Sequence, residues 1–139
     1  MYIFYGLLSA FFASLVTIIG KLGLKKVDPT FATMVRSSVM ALFLIGLTLV
    51  LGKIPKGGIA SLTSRDWLVL VGAGVAGALS WIFYFTALKV GPATRVAALD
   101  RLSLVFIAIL ASIFLSEALS VKAIGGIILM VSGVLLLTS

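Results

Sequence analysis

The stretch WLVLVGAGVAGALSWIFYFTAL, residues 67–88, contains no charged side chain and is long enough to cross a lipid bilayer. A membrane-spanning helix needs about 20 mostly apolar residues to cross about 30 Å of hydrocarbon. Residues 1–20 and 123–139 are equally free of charge, and residues 31–51 and 93–115 carry only a few charges. Because the apolar residues run continuously and do not alternate, the chain is predicted to be an all-α bundle of five transmembrane helices.

The predicted helices cover nearly the whole chain and form a single domain, residues 1–139. Asp28 is predicted to cap the second helix, and Pro29 suits the first position of that helix. The longest loop, residues 52–64, contains a proline and several glycines, and it is the only predicted linker. The helices are predicted at about residues 2–24, 29–51, 65–89, 93–115 and 120–137.

The composition agrees with a membrane protein and argues against an enzyme. Hydrophobic residues make up 62% of the chain and charged residues 11%, whereas a soluble domain carries about 25% charged residues. Cysteine and histidine are both absent, which removes disulfides, thiol nucleophiles, the usual zinc and haem ligands, and a Ser-His-Asp triad. We therefore predict no catalytic residues, no metal site and no cofactor.

The net charge of +7 is predicted to reflect the membrane rather than nucleic acid, because the basic residues lie in loops and at helix ends. With the amino terminus outside, seven basic residues lie on the inner side and four on the outer side. Lysine and arginine favour the cytoplasmic side, but without Lys21, Arg36 and Arg101 the tally is four against four. A multi-pass protein of the cell membrane is predicted, and insertion in both orientations stays open.

Asp100 is the acidic residue predicted to lie inside a span. Residues 102–116 are too few to cross a bilayer, so the fourth helix must begin earlier and include Asp100. A charge at depth is costly and usually faces a bundle interior or a watery cavity. Asp100 is therefore a candidate proton or cation site, with Ser103 on the same helix face. The alternative is a structural ion pair with a neighbouring lysine or arginine.

Arg36 lies about two turns into the second helix. Such a cation is a candidate group for binding an anionic solute or for pairing with Asp100. The alternative is that its long side chain extends to the membrane surface.

Aromatic residues follow helical spacing in the second half of the third helix. Trp81 and Tyr84 are the candidates for contact with a solute, because each combines a ring with a polar atom that needs a partner. The alternative is that these rings face lipid or pack against other helices.

Gly126 and Gly133 lie seven residues apart and therefore on one face of the fifth helix. Small residues allow close approach of helix backbones in lipid. We predict that these two glycines form a packing face, either within one chain or between two chains.

The order of these features resembles the EamA-type domain of the drug/metabolite transporter superfamily. The first helix ends in Gly20-Lys21-Leu22-Gly23-Leu24 before Asp28-Pro29, and Arg36 matches the typical arginine of the second helix. The stretch from Tyr84 to Ala93 resembles the connection between the third and fourth helices. The ending Leu115-Ser116-Glu117-Ala118-Leu119-Ser120, followed by Gly125-Gly126 and Gly133, resembles the end of the domain.

This resemblance implies a secondary transporter that exports a small metabolite or drug-like solute by alternating access. Family members usually hold two such five-helix domains, inverted with respect to each other, and this sequence holds one. The resemblance therefore implies a homodimer of antiparallel copies, or pairing with a second half-transporter. In that arrangement Arg36, Trp81, Tyr84, Asp100 and Ser103 contact the solute, Asp100 binds the coupling ion, and Gly126 and Gly133 pack the dimer.

A competing interpretation comes from the small size of the chain. The chain would then be a membrane subunit that transports nothing itself and stabilises or regulates a partner membrane protein.

Overall fold

The computed structural model describes residues Met1–Ser139 and contains helices but no strand. Five segments are long and apolar enough to cross a membrane, which confirms the predicted fold class. The helices are α1 (Tyr2–Gly23), α2 (Pro29–Val50), α3 (Ser64–Val90), α4 (Ala93–Asp100), α5 (Ser103–Phe114) and α6 (Val121–Thr138), with a short 3₁₀ helix over Gly58–Ser61.

Local sequence signals explain where two of these helices begin. The Asp28 carboxylate accepts hydrogen bonds from the backbone N–H groups of Thr30 at 2.9 Å and Phe31 at 3.1 Å, and Pro29 is the first residue of α2. The predicted cap is therefore confirmed, and the hydrogen bond from Phe31 in particular lowers the pKa of Asp28. Before α3, the Thr63 hydroxyl and the Asp66 carboxylate bond each other's backbone N–H groups, which forms a capping box.

The fourth span is divided between α4 and α5, although the sequence predicts one helix over residues 93–115. Through the division, N–H groups bond carbonyls three residues back rather than four: Arg101 to Ala98 at 3.1 Å and Leu102 to Leu99 at 3.0 Å. The same spacing continues from Leu104, whose N–H bonds the Arg101 carbonyl at 3.0 Å. These bonds define a tighter 3₁₀ turn between α4 and α5.

The chain forms two compact units. One contains residues 1–21 and 90–139, and in it α4 contacts α6. Its buried apolar side chains are Val96, Ala98, Ala108 and Val134.

The second unit contains residues 22–89 and is built on α2 and α3. Its most buried side chains include Leu24 and Leu88, which are 2% and 0% exposed. Arg36 in the first half of α2 contacts Trp81 of α3, and Val27, just before α2, bonds Lys89 near the end of α3, so the two helices run antiparallel.

The outward surface of the spans is apolar. Large side chains such as Phe12, Phe43, Leu68 and Phe106 are each about 60% to 77% exposed. A soluble monomer rarely exposes apolar patches of this extent. These side chains are suited to contact with lipid or with another helix, as a membrane-spanning bundle requires.

Candidate functional site

Arg36 lies against the aromatic residues of α3. Its guanidinium carbon is 3.6 Å from the centre of the Trp81 ring and 5.7 Å from the centre of the Phe85 ring. At 3.6 Å the planar cation is within the range of a strong cation–π contact with indole, the best of the aromatic partners. The side chain is partly buried, so Arg36 is held on the protein by the Trp81 ring.

The aromatic residues of α3 form one cluster, which we call the aromatic cluster: Trp81, Tyr84 and Phe85. The Trp81 ring meets the Tyr84 ring at 5.5 Å and the Phe85 ring at 5.4 Å, both edge to face. These distances are within the favourable range for aromatic pairs. Positions separated by three and four residues share a helix face, so the local sequence alone brings the three rings together.

Phe85 is the residue of this cluster that was not predicted from the sequence to be a site residue. It is 4% exposed, and its ring supports Trp81 from the side while also facing the Arg36 guanidinium. The sequence feature that places Phe85 in the cluster is its spacing of four residues from Trp81. Its lack of a polar atom made it indistinguishable from an ordinary packing residue.

A groove with hydroxyl groups runs between α2 and α3 beside this cluster. Its volume is about 480 Å³, and its α2 wall includes Thr30, Thr33, Ser37 and Ser38, while Ala78 and Ile82 come from α3. The hydroxyls of Thr33 and Ser38 donate to helix carbonyls four residues back, at 2.8 and 3.0 Å. Their oxygens still present acceptor lone pairs, so this groove offers small polar contacts close in sequence to Arg36.

Two lysines bond backbone carbonyls at the helix connections. Lys89 Nζ donates to the Val27 carbonyl at 3.2 Å, within the unit of residues 22–89. Lys21 Nζ donates to the Gly91 carbonyl at 2.8 Å, within the other unit. Each cation thus satisfies a carbonyl that no helix uses, and each holds the end of one span to a connecting segment.

Asp100 and Ser103 flank the turn that divides the fourth span. Asp100 is the last residue of α4 and Ser103 the first of α5, and both side chains are exposed. Since α4 begins at Ala93, Asp100 lies about 10 Å along the helix axis from its start. The structure therefore places an exposed carboxylate well inside a segment that can span a membrane.

The predicted site residues thus fall in both units. Arg36, Trp81 and Tyr84 come together within residues 22–89, whereas Asp100 and Ser103 belong to the unit of residues 1–21 and 90–139.

Gly126 and Gly133 lie on α6, and a methyl group added at either position would meet nothing within 4 Å. Within one chain, therefore, neither glycine is required for a close approach. Val134, next to Gly133, is 3% exposed and belongs to the packed side of α6. The glycines remain candidates for contact with another chain.

Five apolar helical spans without a strand define a multi-pass α-helical membrane protein. A sequence model of the EamA-like transporter family matches residues 1–139. A protein of a Sinorhizobium species, named as an uncharacterized transporter in the cobO 3' region, is 38% identical over 134 residues, which are 96% of this chain and 94% of that protein. No solved structure matches the chain. The chain belongs to the EamA-like transporter family, which confirms the resemblance drawn from its motifs.

Proposed function

We propose that this membrane transporter is a secondary transporter, which exports a small metabolite or drug-like solute across the cell membrane by alternating access. The observation that carries the proposal is the Arg36 guanidinium, stacked at 3.6 Å on the Trp81 ring within a membrane-spanning pair of helices. An ionised residue at such a position is expensive and is usually functional.

The stacked arginine is suited to an anionic group on the solute. Stacking occupies a face of the guanidinium, while its N–H groups point outward in the guanidinium plane and match the two oxygens of a carboxylate. Within residues 22–89 the acidic residues are Asp28 and Asp66. Asp28 caps α2, and Asp66 lies in the first turn of α3, at the opposite end of that helix from Trp81. A carboxylate brought by the solute therefore suits Arg36, while Trp81 and Tyr84 contact its apolar part.

Asp100 is proposed as the group that couples transport to a proton or cation, and Ser103 as a polar contact beside it. A carboxylate about 10 Å into a span has a strong preference for water, a bound cation or a proton. Its place at the turn between α4 and α5 also puts it where the helix is least regular, and such irregular turns are frequent at functional positions.

The proposed assembly is an antiparallel homodimer. Five spans place the two ends of the chain on opposite sides of the membrane, so a second copy inserted upside down supplies the inverted repeat typical of secondary transporters. The open glycine face of α6, at Gly126 and Gly133, is suited to close packing against the second copy.

Flux through the purified chain alone tests the transport proposal. Proteoliposomes that contain only this chain are expected to exchange at least one labelled aromatic or aliphatic carboxylate faster than protein-free liposomes. If none of them exchanges, while a partner membrane protein copurifies with the chain and restores exchange, the chain is a non-transporting subunit and the proposal is wrong.

The orientation of the chain tests the antiparallel dimer. Single cysteines introduced as Tyr2→Cys and Ser139→Cys are the only thiols in their chains, since the sequence has no cysteine. In intact cells an impermeant thiol reagent is expected to label each variant in about half of the molecules, because half of the copies are inverted. Complete labelling of one variant and none of the other would refute the antiparallel homodimer, and an inverted pair would then require a different partner chain.

A further inference from the structure

The loop after α2 folds back on the end of that helix and leaves an apolar groove, which we call the interfacial groove. Its volume is about 510 Å³. One wall is formed by Leu44, Ile45 and Leu49 of α2, and the other by Ile54, Ile59 and Leu62 of the loop. Lys53 is the charged residue in its lining.

The fold of this loop follows from the way α2 ends. Gly52 adopts a left-handed backbone with φ of 60°, a conformation that glycine takes at little cost. The Gly52 N–H donates to the Leu49 carbonyl at 3.1 Å, and the Lys53 N–H donates to the Thr48 carbonyl at 3.1 Å. This pair of bonds is a Schellman motif, which ends the helix and turns the chain back beside it. Lys53 is therefore held at the helix end by the backbone.

A second turn returns apolar side chains to the groove. The Gly58 N–H donates to the Pro55 carbonyl at 2.8 Å, and the 3₁₀ helix that begins at Gly58 carries Ile59. Ile59 is 71% exposed, although it lies in the part of the loop that covers α2. The loop therefore presents apolar side chains that its own fold does not bury.

The place of the groove along α2 suits the boundary between lipid headgroups and hydrocarbon. Since α2 is a membrane span that ends at Val50, Leu44 lies about 9 Å below the helix end, and Lys53 stands just beyond it. Thr48, the polar residue of the helical wall, donates its hydroxyl to the Leu44 carbonyl at 2.7 Å. The groove thus combines an apolar channel at acyl-chain depth with a cation at headgroup height.

We propose that the interfacial groove binds an anionic phospholipid, with one acyl chain between the two walls and the phosphate at Lys53. Charge complementarity carries this assignment: no carboxylate lines the groove, and a second cation, Lys56, lies in the same loop. Basic residues at a membrane surface attract anionic lipids. The site is separate from Arg36 and the aromatic cluster, and it stands whether or not the chain transports a solute.

Lipid retention by the purified protein tests the proposal. The delipidated chain in detergent is titrated with phosphatidylglycerol or phosphatidylcholine, and the bound lipids are counted by native mass spectrometry. We expect phosphatidylglycerol to bind more tightly, and Lys53→Gln to weaken its binding about fivefold, the effect of one lysine near an anionic lipid surface. The matched control Lys122→Gln, at the start of α6, is expected to bind as the unmodified chain does. Ile59→Asn is expected to weaken the binding of both lipids.

Three results would overturn the proposal. Equal retention of the two lipids would show that the phosphate is not recognised. Equal losses in Lys53→Gln and Lys122→Gln would show a diffuse surface charge instead of a site. Efficient disulfide formation between two copies of Ile59→Cys in native membranes would show that a second copy of the chain covers the groove.

Discussion

Replacing Arg36 by glutamine is expected to reduce the transport of an organic anion at least about 30-fold, because truncating one partner of a desolvated charge pair typically costs about 2–5 kcal/mol. The Trp81 ring stays in place in this variant, so the solute would lose its ionic contact but keep its apolar one. The rate of carboxylate exchange in proteoliposomes measures the loss.

Arg36→Lys separates the charge from the geometry. Lysine keeps the cation but lacks the planar fork that stacks on Trp81 and binds both oxygens of a carboxylate. We expect the exchange rate of Arg36→Lys to lie between those of the unmodified chain and Arg36→Gln. The decrease should correspond to the loss of a cation–π contact, which is worth about 0.5–2 kcal/mol.

Arg65→Gln is the matched control for Arg36→Gln. Arg65 is also an arginine, but it lies in the first turn of α3 and is exposed. Its replacement is expected to leave exchange unchanged. Equal exchange in Arg36→Gln and Arg65→Gln, with both proteins folded by circular dichroism, would remove Arg36 from the binding site.

The fluorescence of Trp81 gives an independent measure of binding. The chain has two tryptophans, so the variant Trp67→Phe leaves Trp81 as the sole reporter beside Arg36. Binding of the transported carboxylate is expected to change the Trp81 emission. In the double variant Trp67→Phe/Arg36→Gln this change is expected to disappear. An unaltered response in the double variant would place the solute away from Arg36.

Replacing Asp100 by asparagine is expected to abolish the response of transport to a pH gradient. If one proton moves with each solute, a gradient of one pH unit supplies about 1.36 kcal/mol, which sustains about tenfold accumulation of the solute. Without an ionisable group at this position, Asp100→Asn would show no accumulation driven by the gradient. Accumulation in proteoliposomes at matched and unmatched pH measures the difference.

Two further variants make the Asp100 result specific. Asp100→Glu keeps the carboxylate and is expected to retain part of the coupling. Glu117→Gln removes a carboxylate between α5 and α6, outside the spans, and is expected to retain all of it. Gradient-driven accumulation that persists unchanged in Asp100→Asn would refute the coupling role.

The part of the fold that could be predicted is the part that depends on local sequence. Long charge-free segments predict spanning helices because each backbone N–H and C=O must be bonded within a segment in lipid, and these segments lack the alternation of barrel strands. The start of α2 could also be predicted from local sequence, since Asp28 accepts hydrogen bonds from N–H groups only two and three residues away. The cluster of Trp81, Tyr84 and Phe85 follows from helical spacing alone.

The candidate site residues Arg36, Trp81 and Tyr84 could be predicted from the sequence, but the contact between Arg36 and Trp81 could not. Arg36 could be selected because a cation inside a span is unusual, but nothing in the sequence paired it with Trp81, which lies on another helix. The division of the fourth span was also not predicted, since residues 93–115 contain neither proline nor glycine, the usual signals of an interrupted helix.

The number of spans, the start of α2 and the chemical types available for a site follow from the sequence alone, because burial in lipid and hydrogen bonds near in sequence act on short segments. Which side chains meet across helices became known only from the three-dimensional structure. The stacking of Arg36 on Trp81 depends on how α2 lies against α3, and the interfacial groove depends on the return of a loop to its own helix. The first contact joins segments distant in the chain and the second depends on the geometry of a turn, and helical periodicity encodes neither.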